Sequence, residues 1–414
     1  MKIALLGYGV EGKSAKRYFE GRFTDSTFDI FENESYDELQ QRDYSSYDII
    51  LRSPSVPPMH LKNESSVTKY FFDHCPCPII GVTATKGKGT TCSMIKALLD
   101  ASGTRAYLVG NIGTPALDVL DELTADSVVV YEMSSFQLWD LKKSPHISVI
   151  GHLEPDHLNV HHGYADYLNA KGHIAEYQTP DDYCIYNQNN AEAVKLTKKS
   201  SAHKIPYPFS VPAEISRALP LPGAHNQMNF SAALAAVACY KNISPDEYCA
   251  NFTEEIIGAI KDFKGLPHRL EFVRVLNGVD YYDDNFSTNP SSTRVALESF
   301  PGRQIVLILG GRDKTDYTDL PEIYEMLRLH QPTPEVILIG ESGHELYQKY
   351  RETDLGHHFT LSESLEAAVN TARQLAEPIH GSVILMSPAA ASFDMFKNVY
   401  DRGARYQEIV NNQS

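Results

Sequence analysis

The chain has 414 residues, about three domains at the usual one to two hundred residues each, and its 42% apolar content is ample for separate cores. Lys and Arg total 37 against 53 Asp and Glu, a net charge of −16, which argues against a general nucleic-acid backbone binder or an anionic-membrane binder. A phosphate-rich ligand must therefore be held locally, by backbone N–H groups, single cations and a metal ion.

Lys2 to Leu6 read as a short apolar strand, Gly7-Tyr8-Gly9-Val10-Glu11-Gly12 as a glycine turn, and the next ten residues as a helix. Strands are predicted at Phe28 to Phe31 and Asp48 to Leu51, the second running into Arg52-Ser53-Pro54-Ser55, so this opening segment has the pattern of a small parallel sheet of Rossmann type. The glycine turn suits a diphosphate at a helix N-terminus, and Glu32 stands twenty residues past Gly12, where a ribose-binding acid often lies. The unit ends near Cys77, too short for a full dinucleotide crevice, so a single nucleotide diphosphate fits it better.

A second strand–loop–helix pattern starts at Pro78 to Val82, passes through Thr83-Ala84-Thr85-Lys86-Gly87-Lys88-Gly89-Thr90-Thr91 and continues as a helix from Cys92 to Asp100. Such a loop aims N–H groups and an ammonium at ATP phosphates, with a hydroxyl near magnesium. It departs from a regular Walker A loop, with Val82 where that spacing has Gly and Gly89 where Ser or Thr should follow the Lys. Strands are expected at Ser127 to Glu132 and Ile147 to Ile150. Glu132 then ends a strand beside the phosphate loop, a place for a magnesium ligand, and Glu154-Pro155-Asp156-His157 through His161-His162 forms a polar cluster opposite. An alanine-rich helix covers Asn229 to Cys239, and Pro206 to Pro222 reads as an irregular excursion.

A third α/β unit starts near Lys264, with strands at Arg303 to Leu309, Glu335 to Gly340 and Ser382 to Ser387 and a helix at Glu363 to Ala376. The expected domains are 1–77, 78–265 and 266–414. The six cysteines are sparse and read as reduced thiols, with Cys75-Pro-Cys77 an ordinary loop. With no signal peptide and no apolar run of about 18 residues, a cytoplasmic protein is expected.

Taken in order, Thr83 to Thr91, Gly110-Asn111-Ile112-Gly113, Glu132 to Leu138, Pro155-Asp156-His157-Leu158, Ala170-Lys171, Gly223-Ala224-His225-Asn226, Leu266-Pro267-His268-Arg269 and Ser387 to Ser392 resemble the ATP-dependent Mur ligases of peptidoglycan synthesis over essentially the whole chain. The resemblance implies a Rossmann-like N-terminal domain, a central P-loop-type mononucleotide-binding α/β domain and a C-terminal Rossmann-like α/β domain. It implies glutamate addition to UDP-N-acetylmuramoyl-L-alanine through an acyl phosphate, with closure of the last domain to exclude water, by a cytoplasmic monomer with no nucleic-acid or membrane partner.

By position, the resemblance puts the UDP substrate on Gly9, Val10, Glu32, Ser53 and Ser55, with Asn111 and His157 reaching it from the central domain. ATP falls to Thr85, Lys86, Gly87, Lys88, Gly89, Thr90, Asn226, Asn229, Arg269 and Asp284. Two magnesium ions, for which manganese can substitute, would be held by Thr90, Glu132, His157 and a Lys171 carbamylated by CO₂; Lys88, Lys171, His157 and Glu132 form the catalytic set. Thr288, Lys314 and Ser392 match the amino-acid pocket.

Relatives usually carry Gly at Ala84, Asn at Lys86, Ser or Thr at Gly89 and Lys at Phe286. Gly89 removes a magnesium-side hydroxyl that Thr90 or Thr91 could supply. Phe286 cannot pair a carboxylate, which leaves the enantiomer and identity of the added amino acid open, L-glutamate included. Folylpolyglutamate synthase is the enzyme alternative within the superfamily, though it lacks an N-terminal UDP domain. Outside it stand a nicotinamide-dependent oxidoreductase using Gly7 to Gly12 and Glu32, and a non-catalytic nucleotide-binding protein.

Overall fold

The apolar runs Ile79–Thr83, Val128–Glu132, Ile147–Ile150, Ile305–Gly310 and Val383–Met386 form parallel strands buried on both faces, whereas the alanine-rich run lies in the helix Ala224–Tyr240. The structure is a computed structural model and describes residues 1–312 and 316–413. The chain divides into two units, Met1–Leu219 with Gln227–Asp262, and Pro220–Asn226 with Phe263–Ser414.

The first unit holds two sheets. One has β1 (Lys2–Leu6), β2 (Thr27–Phe31), β3 (Ile49–Arg52) and β4 (Glu64–Ser66) in the order β2-β1-β3-β4, all parallel. The other has β5 (Ile79–Thr83), β6 (Ala106–Gly110), β7 (Val128–Glu132), β8 (Ile147–Ile150), β9 (Tyr183–Asn187) and β10 (His203–Tyr207) in the order β10-β9-β8-β5-β7-β6, again all parallel. One apolar core runs through both, with Ile3, Phe19, Phe71, Tyr131 and Ile150 among its members. The polar seam between the two sheets pairs Arg17 with Asp118, Arg22 with Asp121, and Lys143 with Asp73.

The second unit has β11 (Glu271–Leu276), β12 (Val279–Asp283), β13 (Ile305–Gly310), β14 (Glu335–Ile339), β15 (Phe359–Leu361) and β16 (Val383–Met386) in the order β11-β12-β16-β13-β14-β15. Only β11 is antiparallel; it pairs with β12 through a tight turn at Asn277 and Gly278, both at positive φ, the geometry that an Asn-Gly hairpin favours.

The strands expected at 2–6 and 147–150 match residue for residue, and the others shift by one or two residues at an end. The expected irregular stretch from Pro206 to Pro222 instead contains a short helix, Ala213–Ala218, because Pro212 sits at its N-cap, where a missing N–H costs nothing. No helix among the described residues is long and apolar enough to cross a membrane.

Candidate functional site

β1 delivers the first glycine turn. Gly7 has φ +82°, and a Cβ on Gly12 would lie 2.4 Å from the Gly7 carbonyl oxygen, so the turn closes only with glycine there. The helix Val10–Arg22 starts from Gly9 without a side-chain cap, and its first bond runs from Lys13 N to Gly9 O. The N–H groups ahead of Lys13 are thus the helix's open donors, an anion-binding arrangement. Ser53 Oγ donates to Gly7 O at 2.8 Å, Ser55 Oγ borders the same glycine, and Glu32 follows directly on Phe31, whose carbonyl receives Gly7 N–H. The structure therefore gathers Gly9, Val10, Glu32, Ser53 and Ser55 at one sheet edge.

The second turn lies at the carboxyl end of β5, between β7 and β8, where open α/β sheets bind ligands. Gly87 caps the helix Lys88–Ala101 at φ +85°, and a Cβ there would meet Asn229 Oδ1 at 2.5 Å. Asn229 thus packs on the loop in the first unit, whereas Asn226 belongs to the second unit and donates to Pro222 O. Lys88 Nζ folds back over the loop onto Ala84 O and Thr85 O, at 3.0 and 3.1 Å. Lys86 pairs with Glu154 at 3.0 Å, and Thr85 Oγ1 shares a hydrogen bond with the Tyr167 hydroxyl. Of the two threonines weighed for the missing hydroxyl, Thr91 is buried and donates to Gly87 O, which leaves the part-buried Thr90 for a ligand.

Glu132 ends β7 only 3% exposed. Its Oε1 accepts from Asn111 Nδ2 at 2.9 Å, and its buried Oε2 has no partner among the described residues. A carboxylate oxygen stranded in this way is costly unless a cation completes it, so Glu132 fits a magnesium ligand. Lys171 is 2% exposed and donates to Thr83 Oγ1 at 3.2 Å and Ala84 O at 2.9 Å, with its ammonium 4.9 Å from the Tyr167 ring centre. Burial, then the nearby Lys88 charge, holds its pKa well below that of an ordinary lysine, against the opposing pull of Asp156 and Glu132.

His157 differs from this buried set in exposure: it has φ +53°, is half-exposed and packs against Phe136. His161, which the sequence places in the same polar cluster without a role of its own, is buried, bonds Ser135 Oγ at 2.9 Å and stacks on Phe136. Arg52, assigned no role from the sequence, is wholly buried between Glu64 and Asp140.

In the second unit, Asp284 commits both oxygens inward, to Leu270 N and Ser387 Oγ, and burial raises its pKa to about 7. The Arg269 guanidinium lies 5.0 Å from the centre of the Phe286 ring, which packs T-shaped with Tyr400. Ser392 is buried with its hydroxyl unpartnered, and Thr288 is half-buried. Lys314 lies outside the described residues. Arg402, likewise assigned no role from the sequence, is fully buried and donates to Asn285 Oδ1 and to the carbonyls of Asn285, Ala390 and Ala391, tying the loop that carries Phe286 to the loop that carries Ser392. Among the described residues, the one set of three His, Cys or acidic side chains close enough to share an ion is His268, Glu271 and Asp283; the His268 ring bonds Asp283, its backbone N–H donates to Glu271, and Gln407 Nε2 donates to both carboxylates.

Comparison with known proteins bears on both halves of the chain. Residues 82–218 match the Mur ligase middle domain and 268–390 the Mur ligase, glutamate ligase domain. The UDP-N-acetylmuramoylalanine–D-glutamate ligase of Clostridium kluyveri is 32% identical over 90% of this chain and 85% of its own length. The enzyme of that name from Acetivibrio thermocellus is 33% identical over 88% and 83%. Among solved structures, the UDP-N-acetylmuramate-alanine ligase from Thermotoga maritima covers all of both chains at 16% identity with a TM-score of 0.59, a likeness of three-domain α/β fold. A folylpolyglutamate synthase from Mycobacterium tuberculosis, solved with ADP, has a TM-score of 0.56 over 81% of this chain and 91% of its own.

Proposed function

This chain belongs to the Mur ligase family, and from that premise we propose that it is the ATP-dependent ligase that joins D-glutamate to UDP-N-acetylmuramoyl-L-alanine in peptidoglycan precursor synthesis. The observation that carries this reading is the buried Glu132 oxygen without a partner, at the end of β7 beside the Lys88 loop and the buried Lys171. The relatives' names supply the substrates, and we assign the 1–77 segment to the UDP moiety, 78–265 to ATP and 266–414 to the amino acid. The enzyme acts as a cytoplasmic monomer in this reading.

Chemistry follows from the poor leaving group of a carboxylate. Transfer of the ATP γ-phosphoryl to the alanyl carboxylate forms an acyl phosphate and ADP; the glutamate amine then attacks the acyl carbon, loses a proton and expels inorganic phosphate. Lys88, which already lies across the loop, and Arg269 offset the phosphoryl charge. Magnesium, two ions in our assignment with manganese able to replace them, supplies the remaining positive charge at the phosphoryl oxygens. Thr90, Glu132, His157 and Lys171 are the residues assigned to it. Lys171 serves as a carbamate: its surroundings favour an uncharged amine, the form that adds CO₂, and the product is anionic. Gly9, Val10, Glu32, Ser53, Ser55 and Asn111 hold the UDP substrate. Thr85, Lys86, Gly87, Gly89, Asn226, Asn229 and Asp284 complete the ATP contacts, while Thr288, Lys314 and Ser392 receive the amino acid.

Incubation with UDP-N-acetylmuramoyl-L-alanine, ATP and magnesium should release phosphate on addition of D-glutamate and not of L-glutamate. Release with L-glutamate alone would reassign the acceptor, and no release with either would overturn the reading. A carbamate carbonyl signal in protein equilibrated with ¹³C-bicarbonate, lost in Lys171→Ala, tests the lysine separately.

A further inference from the structure

The first glycine turn carries an acid that the reaction described so far does not use. Glu11 is the second residue of the helix Val10–Arg22, so its own N–H is one of the open donors that we assign to the UDP diphosphate. Its carboxyl turns inward, and Oε1 accepts from Gln137 Nε2 at 2.6 Å. Gln137 cannot reverse this bond, because its Oε1 is already engaged by Ser134 N and Ser134 Oγ. Glu11 Oε2 is buried and has no partner among the described residues.

The charges around Glu11 can be counted element by element. From β3, Arg52 is the cation that bears on it, and that guanidinium is shared with Glu64 of β4 and with Asp140. From β7, the Tyr131 hydroxyl faces it and donates to Thr68 Oγ1. From the helix Ser135–Leu138 comes only the neutral Gln137. One cation therefore serves three carboxyls, and Glu11 has the weakest hold on it: burial drives its pKa up to about 7, the Gln137 bond and Arg52 opposing. A bound diphosphate adds negative charge at the backbone of the same residue.

We propose that Glu11 is a positioning residue that must carry a proton when the UDP-linked substrate is bound, so that substrate and proton load the turn together. The inference rests on the assignment of the Gly7 to Gly12 turn to the diphosphate. Oε2, the oxygen without a partner, holds the proton, and Oε1 keeps Gln137 in place. Through the Gln137–Ser134 bonds the same contact steadies the residues that follow Glu132. Because binding and protonation are linked, affinity for the substrate falls as pH rises past neutrality, while affinity for ADP does not.

Titration calorimetry of the full chain with UDP-N-acetylmuramoyl-L-alanine, whose doubly esterified diphosphate does not itself titrate near neutrality, tests this at pH 6.5 and 8.5. Kd should rise about tenfold or more between them, and buffers of different ionisation enthalpy at pH 8 should report uptake of close to one proton. Glu11→Gln, a neutral isostere, should bind with pH-independent affinity near that of the unaltered protein at pH 6.5, with its ADP affinity confirming that it folds. If it does not fold, the proton-uptake measurement on the unaltered protein decides alone. No proton uptake, or an equal pH dependence in Glu11→Gln, overturns the inference and leaves the diphosphate assignment standing. Failure of the substrate to bind at any pH, with ADP still bound, overturns both.

Discussion

Among the described residues, each unit buries one long cation without a carboxylate bonded to it, and the two are satisfied very differently. Lys171 has one hydroxyl and one carbonyl for its ammonium, and a second cation, Lys88, donates to the same Ala84 carbonyl. Arg402 instead spends its guanidinium on four oxygens from two loops, and although burial and desolvation lower its pKa to about 10 it stays charged at neutrality. A buried lysine so poorly supplied is disposed to give up its proton and react, whereas a buried arginine so well supplied is a fixed tie. Polar satisfaction, more than burial, separates chemistry from scaffolding here.

The comparison breaks most sharply if Lys171 is removed. Lys171→Ala should lower kcat by about a hundredfold or more with little change in urea-unfolding midpoint, since it deletes the group we assign to the metal side and a poorly bonded amine together. Lys171→Arg should be as inactive, because arginine does not lose its proton. Full activity in either variant would end the catalytic assignment. Arg402→Ala should do the reverse in stability, costing about 3 kcal/mol as the Asn285 amide and three carbonyls lose their donors. An unfolding midpoint unchanged in Arg402→Ala would show that these loops hold without it.

Two smaller effects sharpen the contrast, since they concern cations that solvent reaches. Arg269 rests on the Phe286 ring, and Phe286→Leu should remove about 1 kcal/mol of that contact, read as a several-fold rise in KM for ATP. An unchanged KM would leave the ring idle. His268, bonded to Asp283 at 2.7 Å, is the one of the four with a true carboxylate partner, and that bond raises its pKa above the usual histidine value. Its folded pKa exceeds the unfolded one, so its stabilisation is full below about pH 6.5 and is lost as pH rises through the raised value. Melting curves should show a loss under about 1 kcal/mol on going from pH 6 to 8, absent in Asp283→Asn. Equal pH dependence in the two proteins would remove His268 from the account.

Much of this architecture could be read from the chain, because parallel strands buried on both faces leave unbroken apolar runs such as Val128 to Val130 and Ile305 to Leu309. The two glycine turns are legible for a similar reason: Gly7, Gly12 and Gly87 answer local steric demands. The hairpin of β11 and β12 escaped notice, although Asn277-Gly278 marks it, because β11 lies at a sheet edge and alternates only weakly. Arg52, Arg402 and Glu11 could not be seen at all. Their partners stand 88, 117 and 126 residues away, and no local pattern announces a pairing made across folded elements. Asp284 shows the converse, a motif residue whose position was legible but whose inward commitment to Leu270 and Ser387 was not.

The seam in the first unit has a consequence for recombination. Exchanging residues 1–77 for the matching segment of another family member would remove the partners of Asp118, Asp121, Lys143 and Asp140 together, along with the Phe71 face of Tyr131. A chimera joined near Cys77 would inherit a row of stranded charges over an opened core. Residues 1–77 therefore fold as one body with the sheet they lean on, and substitutions in their turns are tolerated best where the seam does not touch them.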